Sequence, residues 1–205
     1  MEQENLAMQQ AFVHPTSIVD TQHIGQSSSV WAFTHVMENV RIGSNCNIGD
    51  HCFIESGAIV GNDVTIKNGS MIWEGVTLED GVFVGPNVLF TNDRHPRSPR
   101  LAQARKRYST KSWLLPTLVR RGASIGAGAI IIAGITIGEF ALVGAGAVVA
   151  QDVPPFALVT GSPARVRGWV CQCGQPIKFQ NGLAGCDDCK LRYIKDNDAV
   201  KLAVS

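Results

Sequence analysis

The sequence predicts an all-β chain wound from a six-residue repeat into stacked parallel coils, interrupted once by a long loop and closed by a small cysteine-bearing module. Three observations carry that expectation. An aliphatic residue stands at every sixth position through most of the chain, the rhythm breaks between Phe90 and Val119, and two close pairs of cysteines follow after it ends.

The outer bounds are simple. A length of 205 residues suits one principal domain with an appendage, and 45% apolar residues can fill a core. The net charge of +1 gives no reason to expect nucleic acid or an anionic membrane as partner. Met1 to Gln10 is polar and has no apolar h-region, so no secretory signal is expected. The most apolar stretch, Ile125 to Val149, is punctuated by glycines and falls short of a membrane span of roughly 20 apolar residues. The expected location is cytoplasmic, without membrane insertion. The expected division is a polar segment over 1–12, a repeat domain over 13–168 with an inserted loop at 91–118, and a tail over 169–205.

The repeat begins at Ile18 and recurs at Ile24, Val30, Val36, Ile42, Ile48, Ile54, Val60, Ile66, Ile72, Leu78 and Val84 without a miss. It resumes in another phase at Val119, Ile125, Ile131, Ile137, Val143 and Val149. Glycine often follows the aliphatic residue, as at Gly43, Gly61 and Gly85, and a short residue comes four places after it, as at Ser28, Cys46, Cys52 and Ala58. Neither a 3.6-residue helix nor a simple alternating strand has this period. A short strand and a bend recurring together do, with the aliphatic pointing inward, the glycine easing the corner and the short residue filling the narrow interior. Cys46 and Cys52 fall in that interior slot and read as core.

The interruption, TNDRHPRSPRLAQARKRYSTKSWLLPT, carries Arg94, Arg97, Arg100, Arg105, Lys106, Arg107 and Lys111 against Asp93 alone. Loops of this length in a compact repeat are commonly functional. Such a concentration of guanidinium and ammonium groups suits a clamp for phosphates, with a solvated loop as the plain alternative. Trp113, Leu114 and Leu115 at its end are expected to pack the loop back onto a coil or a neighbouring subunit.

Beyond Trp169 the rhythm is gone. Cys171 and Cys173 are separated by one residue, Cys186 and Cys189 by two, with twelve residues between the pairs. Four thiols in two close pairs suit a tetrahedral zinc site in a ribbon-like module; iron or a redox disulfide are the alternatives. Zinc would fold a segment with too little apolar material to fold alone, and four thiolates leave no position open for water.

The segments HPTSIVD and VWAFTHVMENVRIGSNCNIG, the stretch from Trp73 to Ser98 with its FTND element, and that from Thr117 to Arg165 ending in GSPAR together resemble the sugar-nucleotide N-acetyltransferases. The resemblance covers about residues 13 to 168. It implies a left-handed parallel β-helix in which three hexads make one triangular coil, with Ile18, Val36, Ile54 and Ile72 stacked on one face and Ile24, Ile42, Val60 and Leu78 on the next. It also implies a homotrimer with sites in grooves between subunits. The implied reaction moves acetyl from acetyl-CoA to the 3-amino group of a UDP- or dTDP-linked deoxyamino sugar, for surface glycan (lipopolysaccharide) synthesis.

Site residues follow from the same resemblance. Asn92, the FTN asparagine, would orient the amine or lie beside the thioester, and Glu74 would hold sugar hydroxyls or the amine. Lys67, Asn68 and Arg94 are further candidates for the substrate. Gly126-Ala127 and Gly144-Ala145 would leave successive corners bare for an extended pantetheine arm, and Arg165 would stand near the CoA phosphates. The chain departs from the family at His95, where an aromatic residue is common, and at Lys67-Asn68-Gly69, in place of a QNN-like segment.

Acetyl transfer to an amine needs an uncharged nitrogen, a donor for the oxyanion and a route for the released proton. His35 and His95 are the candidate bases; the departing CoA sulfur could also take the proton. Other functions stay open: O-acetylation of a small acceptor, or a non-catalytic scaffold whose zinc ribbon binds a partner. A β-helical carbonic anhydrase would need three converging histidines, whose spacing is absent.

Overall fold

The computed structural model describes residues 10–197 and 199–203; the expected polar segment 1–12 therefore lies mostly outside the described residues. From Phe12–Val13 to Val148–Val149 the chain is almost entirely two-residue strands joined by corners of four. Strands recurring every third corner pair in parallel, building three sheets that contribute eight, seven and five parallel strands to a β-solenoid among the described residues. We call its faces A, B and C, with Asn47–Ile48 on face A, Phe53–Ile54 on face B and Ile59–Val60 on face C.

In the two-residue strands from Ser29–Val30 onward the first side chain points outward and the second inward. On face A, Val30, Ile48, Ile66, Val84, Ile125 and Val143 lie directly above one another, all buried. Face C stacks Ile24, Ile42, Val60, Leu78, Val119 and Ile137 in register, the first four as the resemblance implied. Each such burial contributes about 1.5–3 kcal/mol relative to exposure. The short interior positions are buried as well, including both cysteines, Cys46 and Cys52. Where that slot is polar, a rung-to-rung bond satisfies it: the hydroxyls of Ser28, Thr34 and Ser70 donate to the carbonyls of Gly43, Gly49 and Gly85 at 2.7 to 2.9 Å.

Two details differ from the expectation. On face B it is Val19, and not Ile18, that stacks on Val36; Ile18 pairs with His35 and is exposed. Val19 stands only five positions before the next inward aliphatic, Ile24, instead of six, so the opening coil is one residue short. The glycine after the aliphatic also does a different job. A Cβ on Gly85 would stand 2.7 Å from the Ala127 nitrogen, so this glycine admits the rung beside it. The corner itself turns two residues later, where φ is positive at Asn87.

The insertion leaves after Leu89–Phe90 on face B and returns at Thr117–Val119, so the loop ends two residues before the expected 118. Thr117, Leu118 and Val119 pair with Val76, Thr77 and Leu78, so the coil below is resumed where it was left and the phase change is the length of the insertion. Within it lies a short helix, Arg105–Tyr108.

The solenoid closes with Ala157–Thr160. Arg165–Val170 then reverses direction against it, running through the 168/169 junction drawn from composition. Pro176–Ile177 extends that sheet, and Leu183–Gly185, Arg192–Asp196 and Ala199–Leu202 form a separate antiparallel sheet of three strands. The tail's core contains Cys171, Ile177, Ala184, Cys186, Tyr193 and Val200, and it includes Phe156 from the last corner of the solenoid.

Candidate functional site

Face B lies between two corners that gather the residues expected to act. One is the corner from which the insertion emerges. There Asp93, the loop's lone acid, has its side chain only 8% exposed. The His95 amide donates to its Oδ1 at 2.8 Å, the Tyr108 hydroxyl to its Oδ2 at 2.8 Å, and the Arg107 guanidinium also binds Oδ1. Burial alone would raise this carboxyl, but those three donors and the Arg107 charge outweigh it and hold the group below its ordinary range. Arg107 also donates to the His95 carbonyl, and the Tyr108 hydroxyl accepts from the Arg97 amide at 2.9 Å. The knot ties both ends of the basic segment to the residue after Asn92.

Hydrophobic packing seats the end of the loop. Leu114 lies over Gly75 and Leu115 over Gly134, the corners above and below the exit, and Trp113 packs on Tyr108 with ring centroids 5.5 Å apart. The Leu115 amide donates to the Asn92 carbonyl at 3.0 Å, which fixes the Asn92 backbone. Arg94 donates through Nε to the Ala133 carbonyl at 2.8 Å. Glu74 is ion-paired with Lys111, and its amide donates to Glu55 Oε2 at 2.8 Å. Asn92, Arg94 and His95 on the loop, and Glu74 paired with the loop's Lys111, thus lie on the side of face B from which the insertion emerges. Of the seven loop cations, Arg94, Arg107 and Lys111 are occupied within the chain. Arg97, Arg100, Arg105 and Lys106 are exposed and form no ion pair among the described residues.

The opposite edge of face B carries the other set. Gly126-Ala127 stacks on Gly144-Ala145; a Cβ on Gly126 would stand 2.5 Å from the Ala145 nitrogen, and one on Gly144 2.7 Å from Thr160 Cγ2. Those two glycines are thus required by stacking. The bare surface belongs to Ala127, Gly128, Ala145 and Gly146, all exposed, with open space around Gly128 and Gly146. Arg165 pairs with Thr160 on the next rung and is exposed. Lys67 and Asn68 turn the same edge further down, where Asn68 Nδ2 donates to Asp50 Oδ2 at 3.0 Å.

His35 is outward on face B, its Nε2 3.1 Å from Asp20 Oδ2 and its ring edge-on to Phe53. Three rungs separate it from Leu89, about 14 Å at the usual strand spacing. Within one chain it does not join His95, which is exposed in the loop.

In the tail, the sulfurs of Cys171, Cys173, Cys186 and Cys189 all lie within 4.8 Å of one another. Tetrahedral thiolates at a zinc–sulfur length near 2.3 Å stand about 3.8 Å apart, so the cluster has the dimensions for such an ion. Two tight turns present the pairs: the Gly174 amide donates to the Cys171 carbonyl at 2.9 Å, and the Lys190 amide to the Cys186 carbonyl at 3.0 Å. Burial opposes ionisation of Cys171, but the Tyr193 hydroxyl and the neighbouring Cys173 and Cys189 outweigh it, bringing the thiol down to about 7. Neither the buried role of Asp93 nor that of Tyr193 is marked by the repeat or by cysteine spacing. Asp93 could have been noticed as an Asx turn; nothing in the spacing of Tyr193 marks it.

Comparison with known proteins accords with this architecture. The family described as "Bacterial transferase hexapeptide (six repeats)" matches residues 23–56 and 57–92, and "Hexapeptide repeat of succinyl-transferase" matches 121–151. The chain is 50% identical over 182 residues to the dTDP-3-amino-3,6-dideoxy-alpha-D-galactopyranose 3-N-acetyltransferase of Aneurinibacillus thermoaerophilus, covering 89% of this chain and 90% of that one. Two solved structures share the fold. One is GDP-perosamine N-acetyl transferase from Caulobacter crescentus with CoA and GDP-perosamine, at TM-score 0.55 and 22% identity over 78% of this chain and 58% of that one. The other is AntD, an N-acyltransferase from Bacillus cereus with dTDP and coenzyme A, at TM-score 0.55 and 17% identity over 78% and 84%.

Proposed function

Because the chain belongs to the hexapeptide-repeat acetyltransferases, we propose that it transfers acetyl from acetyl-CoA to the amino group of a dTDP- or UDP-linked amino-deoxysugar, in the cytoplasm, for surface glycan synthesis. The observation that carries this reading is the 50% identity, spanning 89% of the chain, to an enzyme acting on a dTDP-linked 3-amino sugar. Among the described residues no helix is long and apolar enough to cross a membrane.

The reaction forms an amide bond and breaks the thioester. The sugar nitrogen attacks the acetyl carbon, negative charge develops on its oxygen, and the sulfur departs as CoA thiolate. Asn92, its backbone fixed by Leu115 and the Asp93 knot, orients the amine or the thioester from the loop corner. Glu74 and Arg94 bind substrate from the same corner, with Lys67 and Asn68 on the opposite edge. His35, His95 or the CoA sulfur takes the proton. The bare strip at Ala127 and Ala145, held by Gly126 and Gly144, admits the pantetheine arm, and Arg165 meets the CoA phosphates.

A homotrimer reconciles the two separated sets. Packing face B of one subunit beside another would bring the loop corner of one chain to the glycine-lined edge of the next. The outward residues of that face, Phe53, Met71, Leu89, Ile130 and Val148, are apolar and suit such a contact. In the tail, zinc held by Cys171, Cys173, Cys186 and Cys189 would serve a structural role, and the mutual distances of the four sulfurs support it.

The test is to incubate the protein with acetyl-CoA and a panel of dTDP- and UDP-amino sugars while following free thiol. Release with dTDP-3-amino-3,6-dideoxygalactose or a close analogue is expected. No release with any amino sugar would overturn the proposal, and release with hydroxyl acceptors alone would replace it by O-acetylation.

A further inference from the structure

The three-stranded sheet of the tail has one face packed inward and one that no other described residue covers. Along Arg192–Asp196 the alternation is plain: Tyr193 is fully buried, while Arg192 and Ile194 point outward. Across the strands Leu183, Ile194 and Lys201 lie opposite one another on the outer face. Leu183 is 60% exposed, Ile194 48% and Leu202, at the margin, 39%. A polar surface strand would carry hydrophilic residues at these places.

The face borders a groove of about 1080 Å³ whose lining includes these three aliphatics together with Lys178, Lys190 and Arg192. Among the described residues no carboxylate lines it. None of the three cations, nor Lys201, forms an ion pair among the described residues. Beside it, Ala199–Leu202 is an edge strand, paired with Arg192–Asp196 alone.

We propose that this groove docks an extended acidic segment of a partner protein, one in which aliphatic residues alternate with carboxylates. The aliphatic residues would occupy the floor over Leu183 and Ile194, and the carboxylates would meet Lys178, Lys190 and Arg192. Other occupants fit less well. The floor is aliphatic and presents no exposed aromatic ring on which a base could stack. A concave groove does not insert into a bilayer. A second copy of the same face would oppose lysine and arginine to themselves. The proposal is independent of the acetyl transfer.

The experiment selects a random twelve-residue peptide library on the full-length protein, with counter-selection on Ile194→Glu, a change at an exposed position. Sequences enriched in Asp or Glu next to Leu, Ile or Val are expected. A selected peptide should lose at least tenfold in affinity on Arg192→Glu as well as on Ile194→Glu, with both variants keeping the wild-type circular dichroism and sedimentation. No enrichment over the counter-selection, or enrichment of basic peptides, would overturn the proposal. So would Ile194-dependent binding of a uridine oligonucleotide or of phosphatidylglycerol vesicles in place of peptide.

Discussion

The hydroxyl of Tyr193 lies 3.0 Å from the sulfur of Cys171. Its oxygen accepts the Gln172 amide at 2.9 Å, which leaves its own proton to point at the thiolate. The same ring meets Phe156 edge-on at 5.3 Å, and Phe156 stacks on Phe140 at 5.7 Å. One buried side chain thus connects the cysteine cluster with the last corners of the solenoid. Tyr193→Phe should keep the packing and lose the bond to sulfur, weakening metal retention about 10–100-fold. Competition with a chromophoric chelator measures it; unchanged retention would refute the role.

Loss of the proposed zinc should act locally. Cys186→Ser, or strong chelation, is expected to unfold the tail while the solenoid, with its own core, survives. Protease digestion should then cut after Val170 and leave the repeat domain intact. Elemental analysis of carefully purified wild-type protein should find one zinc per chain.

The Asp93 knot makes the loop acid-sensitive. A carboxyl whose folded value is depressed contributes stability that is fully present above its unfolded value, ordinarily about 3.9, and is lost as pH falls through the folded one. The loop should therefore hold at neutral pH and open only as pH drops below about 4 toward strong acid. Trp113, packed on Tyr108, reports the opening by fluorescence. Asp93→Asn should remove this transition, and Tyr108→Phe should cost the loop about 1.5–3 kcal/mol.

Asn92 and the stacked glycines separate catalysis from architecture. Asn92→Ala should lower turnover at least tenfold while leaving the sedimentation coefficient and melting temperature unchanged. Gly126→Ala should destabilise the fold by about 1–3 kcal/mol, because its Cβ would stand 2.5 Å from the Ala145 nitrogen and a backbone atom cannot rotate away. Equal melting temperatures for Gly126→Ala and wild type would contradict the stacking role.

Two isoleucines make a sharper comparison. Ile66 is completely buried and Ile18 is 57% exposed, though both stand in the same sequence phase. Ile66→Ala should cost about 2–5 kcal/mol. Ile18→Ala should stay within about 0.5 kcal/mol. Denaturant unfolding of the two variants decides it.

The six-residue period by itself determined the coil, the inward aliphatics and the interior place of Cys46 and Cys52, because a local pattern repeated so often admits one packing. Cysteine spacing likewise marked the four sulfurs that the tail brings together. Tertiary structure decided what repetition cannot encode. Whether Ile18 or Val19 faces inward depends on where a short coil meets the next. Only the folded chain, with Thr117–Val119 laid beneath Val76–Leu78, turns a change of phase into a loop anchored by Asp93 and seated on Gly75 and Gly134. The bond between Tyr193 and Cys171 is of the same kind: it joins residues that no periodicity relates, and proximity in space alone creates it.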